Sequence, residues 1–296
     1  MRVFVTGGGG FIGRNFIEAV GNDYEIVAPR SRELNLSNQA AVAAWFHKQK
    51  PFDVLVHTAT TPAHRAASGT AGVIDSNLNM YFNLMRHRNK WNRMIVLTSG
   101  AVYDVTGAIE NATENTVGSR IPGEPSGLSK LAIACHAKTQ PNVVELRPFG
   151  VFGKYELYNI RFISNAICKA LFGLPITLRQ DRAFSYVYVN DLVNVIRHFC
   201  ENPTVHPAHA AYNVTHPEHC SLAQLAHRVQ QIVNPNVEIK IAESGLGLAY
   251  TGSSELLRKS VPALSFTPHD TAIAELADWY KANKSMINFS QLGKDI

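Results

Sequence analysis

The sequence predicts an α/β protein with a doubly wound parallel sheet and a smaller, interleaved C-terminal lobe. In the N-terminal half, short apolar runs alternate with helical patterns, as in parallel sheets whose right-handed crossovers carry helices on both faces. The glycine run Gly7–Gly10 separates the first apolar run from the first helical pattern. Because ligands of such sheets bind beyond the carboxyl ends of the strands, we expect the binding residues directly after each strand.

The spacing of the apolar residues along the chain predicts the strands and helices. Strands are predicted at 2–6, 24–28, 53–57, 94–99 and 143–146, and helices from Phe11 and over 39–50, 73–91 and 128–138. After Gly153 the alternation loosens, which indicates the smaller lobe. Helices are predicted there at 160–172, 191–199, 222–233 and 271–284, and strands at 175–178, 185–189 and 211–214, the last of which returns to the sheet.

The composition argues against two classes of partner. The chain has 296 residues, of which 28 are basic and 23 acidic, but no run of Lys and Arg indicates nucleic-acid binding. The mild net charge of +5 suits anionic ligands. No stretch approaches the ~18 apolar residues of a membrane span. The first strand begins at Arg2, which leaves no room for a signal peptide, and the cysteines are widely spaced, so we expect a cytoplasmic protein with reduced thiols.

The glycine run has the spacing of a Rossmann-type dinucleotide site. Gly7 permits the tight turn, Gly10 lets the backbone approach a pyrophosphate, and Gly13 lets the helix pack against the strand. Phe11 and Ile12 open the helix, whose free N–H groups would bind the pyrophosphate. A glycine turn without a ligand is the alternative, but the strand before it and the helix after it favour the dinucleotide. We predict this domain at 1–154 with returning segments at about 185–215, and a substrate-binding lobe at 155–184 and 216–296.

The end of the second predicted strand indicates which dinucleotide binds. NAD-binding folds usually carry an acidic residue at this point, which holds the ribose hydroxyls. Here Arg30 and Arg32 follow the strand, and guanidinium groups bind a 2′-phosphate that a carboxylate would repel. We therefore expect NADP. NAD remains the alternative, because solvated arginines and an inward-turned Glu33 would fit it.

A set of segments along the chain carries family motifs. These are 6–13 (TGxxGFIG), 57–60 (HxAA), an Asn-bearing helix at 77–84, a serine strand at 98–103, 147–153 (RxxNVYG), 188–192 (YVDDL) and 212–214 (YNV). Together they resemble the extended short-chain dehydrogenase/reductase family, the NAD(P)-dependent nucleotide-sugar epimerases, dehydratases and reductases. The resemblance covers nearly the whole chain. The segment 30–36 is especially similar to GDP-fucose synthase and related NADP-dependent keto-sugar reductases.

This resemblance implies the residues that carry the chemistry. In the family a Tyr exchanges a proton with the substrate oxygen, and a Ser or Thr hydrogen-bonds the same oxygen. A Lys four residues after the Tyr lowers the Tyr pKa and holds the cofactor ribose. Ser99 and Lys130 match the Ser and the Lys, and Ser126 stands at the tyrosine position. An aliphatic hydroxyl is a much weaker acid than a phenol, whose pKa is ~10. Ser126 is therefore a poor direct replacement.

Three interpretations of the missing phenol stay open. Another residue supplies the proton, and Tyr103 and His57 are the nearest candidates by family geometry. Alternatively, the substrate or a water molecule supplies it. In the third interpretation the protein is a catalytically silent member of the family that binds the cofactor and a nucleotide sugar without turnover.

The resemblance assigns further residues to the ligands. Contacts to the dinucleotide are expected from Leu36, Thr58, Ala59 and Lys130. Contacts to the substrate are expected from Tyr103, Arg182, Arg179 and Asn165. The family arginine that binds the sugar nucleotide's diphosphate corresponds to Phe184, which is why the nearby Arg182 and Arg179 are considered, with solvated arginines as the alternative.

The type of reaction can be narrowed by the same comparison. Dehydratases of the family carry acidic residues directly after the catalytic Ser or Thr, and here those positions are Gly100 and Ala101. We therefore expect a keto-sugar reductase or an epimerase/reductase that acts on a nucleotide-activated sugar for surface polysaccharides, with net reduction favoured by NADP. The resemblance also implies a homodimer through the helices around Met80 and Ile133.

A group of histidines invites comparison with a zinc site. His206, His209, His216, His219 and Cys220 lie within a short segment, and zinc is often bound by His and Cys at short spacing. The predicted strand at 211–214 separates the two His pairs and carries them to opposite ends. We therefore expect no metal.

Overall fold

Strands and helices alternate along the computed structural model, which describes residues 1–61, 72–202 and 210–293. The strands are β1 (Arg2–Thr6), β2 (Glu25–Val27), β3 (Phe52–His57), β4 (Trp91–Leu97), β5 (Ile109–Ala112), β6 (Val143–Pro148), β7 (Gly150–Phe152), β8 (Ile176–Asp181), β9 (Ala183–Phe184), β10 (Tyr186–Tyr188), β11 (Ala211–Val214), β12 (Cys220–Ser221), β13 (Ile239–Leu246) and β14 (Tyr250–Gly252). The helices are α1 (Phe11–Val20), α2 (Gln39–His47), α3 (Val73–Met85), α4 (Pro125–Ala137), α5 (Phe162–Leu171), α6 (Val189–Glu201), α7 (Leu222–Val233), α8 (Glu255–Ser260) and α9 (His269–Ala282).

The central sheet is parallel and has the strand order β11-β6-β4-β3-β1-β2. The chain places β2 on one side of β1 and β3 on the other, so the order reverses between β1 and β3. Thr6 pairs with His57 in this register, which brings the residues after both strands side by side. The reversal point of such a sheet leaves a crevice in which ligands bind.

Helices cover both faces of this sheet. Val3 and Val5 point towards α1 and α6, and Phe4 points to the opposite face, towards α2, because successive strand residues alternate in direction. The inner strands β1, β3, β4 and β6 are thus buried on both faces, which explains their continuous apolar runs. The α/β fold with a doubly wound parallel sheet, predicted from these runs, is confirmed.

A second hydrophobic cluster lies in the C-terminal part of the chain. Helices α5, α7 and α9 pack against one another there, with β8 against α5 and α7. β8 also pairs in parallel with β13. The smaller four-stranded sheet, in the order β12-β9-β14-β5, joins this part of the chain to the segment after the serine strand. The predicted return of 211–214 to the central sheet is confirmed by the pairing of β11 with β6.

Some predicted elements differ from those observed. The helix predicted over 73–91 ends at Met85, and Trp91 begins β4, where its indole N–H donates to the Leu84 carbonyl. The apolar Trp91 continued the helical period, so the pattern did not reveal the break. The strand predicted at 185–189 pairs as β10 with β7, outside the central sheet. β13 was not predicted, because most of its side chains are exposed and it lacks a buried face.

The described residues contain no helix long and apolar enough to cross a membrane. The domain boundaries and the homodimer stay predictions. Ile133, one of the two residues named for the dimer contact, lies on α4, is 5% exposed and packs in the core. A dimer contact through α4 would therefore have to use other residues of that helix.

Candidate active site

The glycine turn after β1 has the geometry of a phosphate-binding loop. Gly7 adopts φ +70°, and the Gly10 N–H donates to its carbonyl at 2.9 Å. A Cβ atom on Gly13 would lie 2.4 Å from the Gly7 carbonyl oxygen and 2.9 Å from Thr58 Oγ1. Only glycine therefore allows α1 to pack this closely against the ends of β1 and β3.

The N-terminus of α1 is open to an anion. Gly10 precedes the helix, and among the described residues no side chain caps its first turn, which also contains no acidic residue. N–H groups that lack partners at a helix start attract phosphate oxygens. The backbone cradle and the open N–H groups thus fit the pyrophosphate of a dinucleotide.

Two clefts meet at this helix end. The glycine cleft, of about 1050 Å³, is lined by residues that include Gly7, Gly10, Arg30, Leu36 and Ala59. The serine cleft, of about 480 Å³, is lined by residues that include Phe11, Ile12, Thr58, Ser99 and Lys130. Gly10 and Phe11 are neighbours in the chain, as are Thr58 and Ala59, so the two clefts lie on either side of one loop. An elongated ligand that crosses the loop would have one end in each cleft.

Only part of the segment predicted to select NADP faces the glycine cleft. Arg30 and Ser31 line it, whereas Arg32 is exposed outside its wall. The Glu33 carboxylate accepts a hydrogen bond from the Arg30 backbone N–H at 2.8 Å, which closes the turn on itself. The carboxylate that would favour NAD is therefore engaged within its own turn, and Arg30 is the guanidinium that faces the cleft.

Ser99 and Lys130 meet in the serine cleft. Lys130 Nζ donates to Ser99 Oγ at 3.1 Å, and Ser99 Oγ also accepts from the Ala101 backbone N–H at 3.2 Å. Ser99 follows β4, and Lys130 lies on α4, so two separate elements form this pair. Burial, with the nearby Arg161 guanidinium, lowers the pKa of Lys130 to about 8.

Ser126 is not part of the described wall of the serine cleft. It is in the first turn of α4, one turn before Lys130, and its carbonyl accepts a hydrogen bond from Ser129 Oγ at 2.9 Å. The position that the resemblance predicts for the catalytic phenol therefore holds a short side chain that does not line the described cleft wall.

The other two proton donors considered from the sequence are both engaged elsewhere. The Tyr103 hydroxyl donates to Asn213 Oδ1 at 2.8 Å and accepts from Arg147, and the ring is buried in a core cluster rather than in the cleft wall. Tyr103 is thus not part of the described cleft wall, and its contact to the substrate stays a prediction. His57 is 3% exposed, its Nδ1 is 2.7 Å from Thr6 Oγ1, and burial lowers its pKa to about 4.

The other residues predicted to contact the substrate lie in different parts of the structure. Arg182 lines the serine cleft. Arg179 is exposed on β8 and forms an ion pair with Glu243 at 2.8 Å, away from the cleft wall. Asn165 lies buried on α5, and its side-chain nitrogen has no hydrogen-bond partner among the described residues. Arg179 and Asn165 therefore do not meet the other predicted residues of the site.

Four titratable residues that the sequence analysis did not single out line the serine cleft. They are Glu156, Arg161, Tyr186 and Tyr250. Glu156 accepts a hydrogen bond from Ser164, and burial raises its pKa to about 8. Arg161 directly precedes α5 and stands close to Lys130. No motif marks these positions, because they reach the cleft only through the packing of the C-terminal part of the chain.

The histidines that lie close together in the fold are not the ones that the sequence grouped. His206 and His209 lie outside the described residues, and His219 is exposed. Ligand atoms of His216, Glu218 and His269 lie within 4.8 Å of one another. The Glu218 carboxylate already forms an ion pair with Arg228, so its charge is offset within the protein.

The chain is similar in sequence to proteins of one enzyme family. The model of the NAD dependent epimerase/dehydratase family matches residues 3–215. UDP-glucuronic acid decarboxylase 6 of Arabidopsis thaliana is 22% identical over 271 residues, which cover 82% of this chain and 78% of that protein. GDP-L-fucose synthase of Azorhizobium caulinodans is 38% identical over 78 residues, 26% of this chain and 22% of that protein.

A solved structure shares the fold over almost the full length. The GDP-mannoheptose C4 reductase of Campylobacter jejuni, with NADP bound, superposes with a TM-score of 0.80 and covers 95% of this chain and 98% of that chain. The sequence identity is 18%, so this likeness concerns the fold.

Proposed function

We propose, because this chain belongs to the NAD dependent epimerase/dehydratase family, that it is an NADP-dependent oxidoreductase that reduces, or reduces and epimerises, a nucleotide-activated keto sugar. The observation that carries this proposal is the hydrogen-bonded pair of Ser99 and Lys130 in a cleft that adjoins the glycine loop. A dinucleotide on the loop would have its reactive end beside a hydroxyl that is held by a lysine. This arrangement would orient a keto group towards the hydride donor.

Arg30 supports NADP as the cofactor. It faces the glycine cleft at the end of β2, and the neighbouring Glu33 carboxylate is engaged by a backbone N–H. A guanidinium binds a 2′-phosphate by paired hydrogen bonds. The similar GDP-mannoheptose C4 reductase has NADP bound, which agrees with this choice.

The charges of the serine cleft support an anionic substrate. Arg161 and Arg182 line it together with Lys130, and a diphosphate offers each guanidinium a pair of oxygens. The similar proteins are named for GDP- and UDP-linked sugars. We therefore propose a nucleoside-diphosphate sugar whose diphosphate is bound by Arg161 and Arg182.

Ser99 and Lys130 would polarise the keto group. A nicotinamide, when bound, would supply the hydride for the carbonyl carbon. Lys130 donates to Ser99 Oγ, which leaves the Ser99 hydroxyl proton free to point at the carbonyl oxygen and to stabilise its growing negative charge. Gly100 and Ala101 carry no acidic group next to Ser99, which supports reduction over dehydration.

Substitution of Lys130 tests this proposal. We expect the wild-type protein to oxidise NADPH in the presence of a GDP-, UDP- or dTDP-linked 4-keto-6-deoxyhexose, as followed by NADPH absorbance. Lys130→Ala should lower the rate by at least ~100-fold, because Ser99 loses its partner. Lys138→Ala, an exposed lysine just beyond the same helix, is the control and should keep the wild-type rate. A wild-type rate in Lys130→Ala would contradict the proposal.

Ser126 favours a second candidate function, a silent cofactor- and nucleotide-sugar-binding protein. A serine outside the cleft wall is no substitute for a phenol. This candidate predicts that the wild-type protein binds NADPH but oxidises none of it with any of these sugars, and that Ser126→Tyr introduces turnover. Turnover by the wild-type protein would exclude it.

A further inference from the structure

We propose that Tyr250 is the proton donor of the serine cleft and takes the place of the phenol that the Ser126 position lacks. This inference rests on the proposed function, because a proton donor requires a reduction to serve. Tyr250 comes from β14, far along the chain from Ser99 and Lys130, and lines the same cleft. It is therefore a catalytic residue that only the folded chain brings to this site.

The Tyr250 hydroxyl lies directly beside the residue that follows Ser99. It is 2.7 Å from the position that a Cβ atom on Gly100 would occupy. Any side chain at position 100 would therefore collide with this hydroxyl. The glycine leaves room for a phenol next to Ser99, where a substrate carbonyl held by Ser99 would be within reach.

Strand pairing and ring packing hold the tyrosine in this position. Its backbone pairs with Ile109 of β5 and with Phe184 of β9, and its carbonyl accepts from the Ser185 N–H at 2.9 Å. The ring packs against Phe149 and Phe184, with centroid distances of 5.0 Å and 4.9 Å. The phenol is thus preorganised by backbone and side-chain contacts, as a catalytic group must be.

The Tyr250 hydroxyl also remains available for a ligand. In the part of the chain that the structure describes, it makes no hydrogen bond, in contrast to the Tyr103 hydroxyl, which is held by Asn213 and Arg147. Tyr250 faces the cleft and is not sealed in the core. Its hydroxyl can therefore donate to a bound keto group without breaking an existing contact.

The electrostatics keep this phenol in the form that donates. Burial raises the pKa of Tyr250 well above its usual value, and Arg161 and Arg182 partly oppose that rise. The hydroxyl is therefore protonated at neutral pH. The two guanidinium groups would stabilise the phenolate that forms when the proton leaves.

The step balances as a two-electron reduction. The carbonyl carbon receives the hydride, so a C–H bond forms as the carbonyl π bond breaks, and its electron pair moves to the oxygen. The oxygen takes the proton of Tyr250, and the keto group becomes a secondary alcohol while NADPH is oxidised to NADP⁺. The phenolate regains a proton from solvent through the open cleft.

Tyr250→Phe tests the proposal, with Tyr280→Phe as its matched control. Tyr280 is a buried phenol on α9 that does not line the described cleft wall, and its hydroxyl has no hydrogen-bond partner among the described residues. We expect Tyr250→Phe to lower the rate of NADPH oxidation by ~100- to 10,000-fold with little change in NADPH affinity. Tyr280→Phe should keep the wild-type rate. A wild-type rate in Tyr250→Phe would overturn the role of Tyr250 and leave the proposed function standing. An absence of any turnover in the wild-type protein would overturn both.

Fluorine NMR gives a readout that does not depend on turnover. In protein labelled with 3-fluorotyrosine, the resonances that vanish in Tyr250→Phe and Tyr280→Phe assign the two phenols. Addition of saturating NADP⁺ should shift the Tyr250 resonance, because the nicotinamide ring would lie next to the phenol, and should leave the Tyr280 resonance in place. An unmoved Tyr250 resonance, with NADP⁺ binding shown by a separate titration, would overturn the proposal.

Discussion

The glycine cleft and the serine cleft share one loop, but the chain builds them in different ways. Most of the glycine-cleft wall comes from residues 4–37, a continuous stretch in which a strand, a turn and a helix follow one another. The wall of the serine cleft is drawn from residues as far apart as Phe11 and Tyr250. The first is therefore a local structure that a short motif can specify, and the second depends on the packing of the whole chain.

The difference extends to the groups that bind. In the glycine cleft, backbone N–H groups and the absence of side chains make the site. In the serine cleft, side chains from several elements must converge, and Gly100 contributes by leaving space for one of them. Substitutions at four positions test the two clefts.

Gly13→Ala should have the largest effect, through the loss of dinucleotide binding at the glycine loop. The new Cβ would lie 2.4 Å from the backbone oxygen of Gly7, which cannot move without opening the turn. We expect NADPH affinity to fall by at least ~100-fold, measured by fluorescence titration. Gly293→Ala, where a Cβ would meet nothing within 4 Å, is the control. Unchanged affinity in a folded Gly13→Ala variant would contradict this account of the loop.

Gly100→Ala should affect the serine side alone. The added methyl group would meet the Tyr250 hydroxyl and the Phe149 ring, each at 2.7 Å. We expect turnover to fall by about 100-fold as the phenol is displaced, while NADPH affinity stays at the wild-type value. Equal losses in affinity and turnover would show that the two clefts are not separable in this way.

Arg30→Ala should reduce discrimination between the two dinucleotides. The loss of an exposed guanidinium–phosphate contact costs about 1.5 kcal/mol, so NADP affinity should fall roughly tenfold, with NAD affinity unchanged. Arg32→Ala, outside the cleft wall, should have less effect. The dissociation constants of both dinucleotides, measured for both variants, check this prediction. A larger loss of NADP affinity in Arg32→Ala would reverse the assignment.

Lys130 should make the stability of the protein depend on pH. Burial and Arg161 lower its pKa from 10.5 to about 8 in the folded protein. Between these pH values the unfolded chain binds a proton that the folded protein does not bind, so this group raises the free energy of unfolding as the pH rises. The wild-type value minus that of Lys130→Met, from urea unfolding, should therefore increase across this window. Lys138→Met is the control, and a flat difference for Lys130→Met would contradict the prediction.

Much of the fold was predictable from the sequence because it depends on short-range patterns. The apolar strand runs and the glycine spacing specified the parallel sheet, and 211–214 was correctly returned to it. The overlong helix at 73–91 and the unpredicted β13 show the limit of periodicity, since Trp91 fits both patterns and β13 has no buried face. In the site, the meeting of Ser99 with Lys130 followed from family motifs.

By itself, the sequence determined the dinucleotide-type loop, because Gly7, Gly10 and Gly13 act through backbone conformation and close packing of adjacent elements. It also showed that position 126 has no phenol. The tertiary structure alone decided which other side chains reach the serine cleft. Tyr103 lies in the core, where its hydroxyl donates to Asn213. The pairing of β14 with β5 places Tyr250 beside Gly100. The physical reason is that these contacts join residues more than a hundred positions apart, and their geometry is set by the packing between elements.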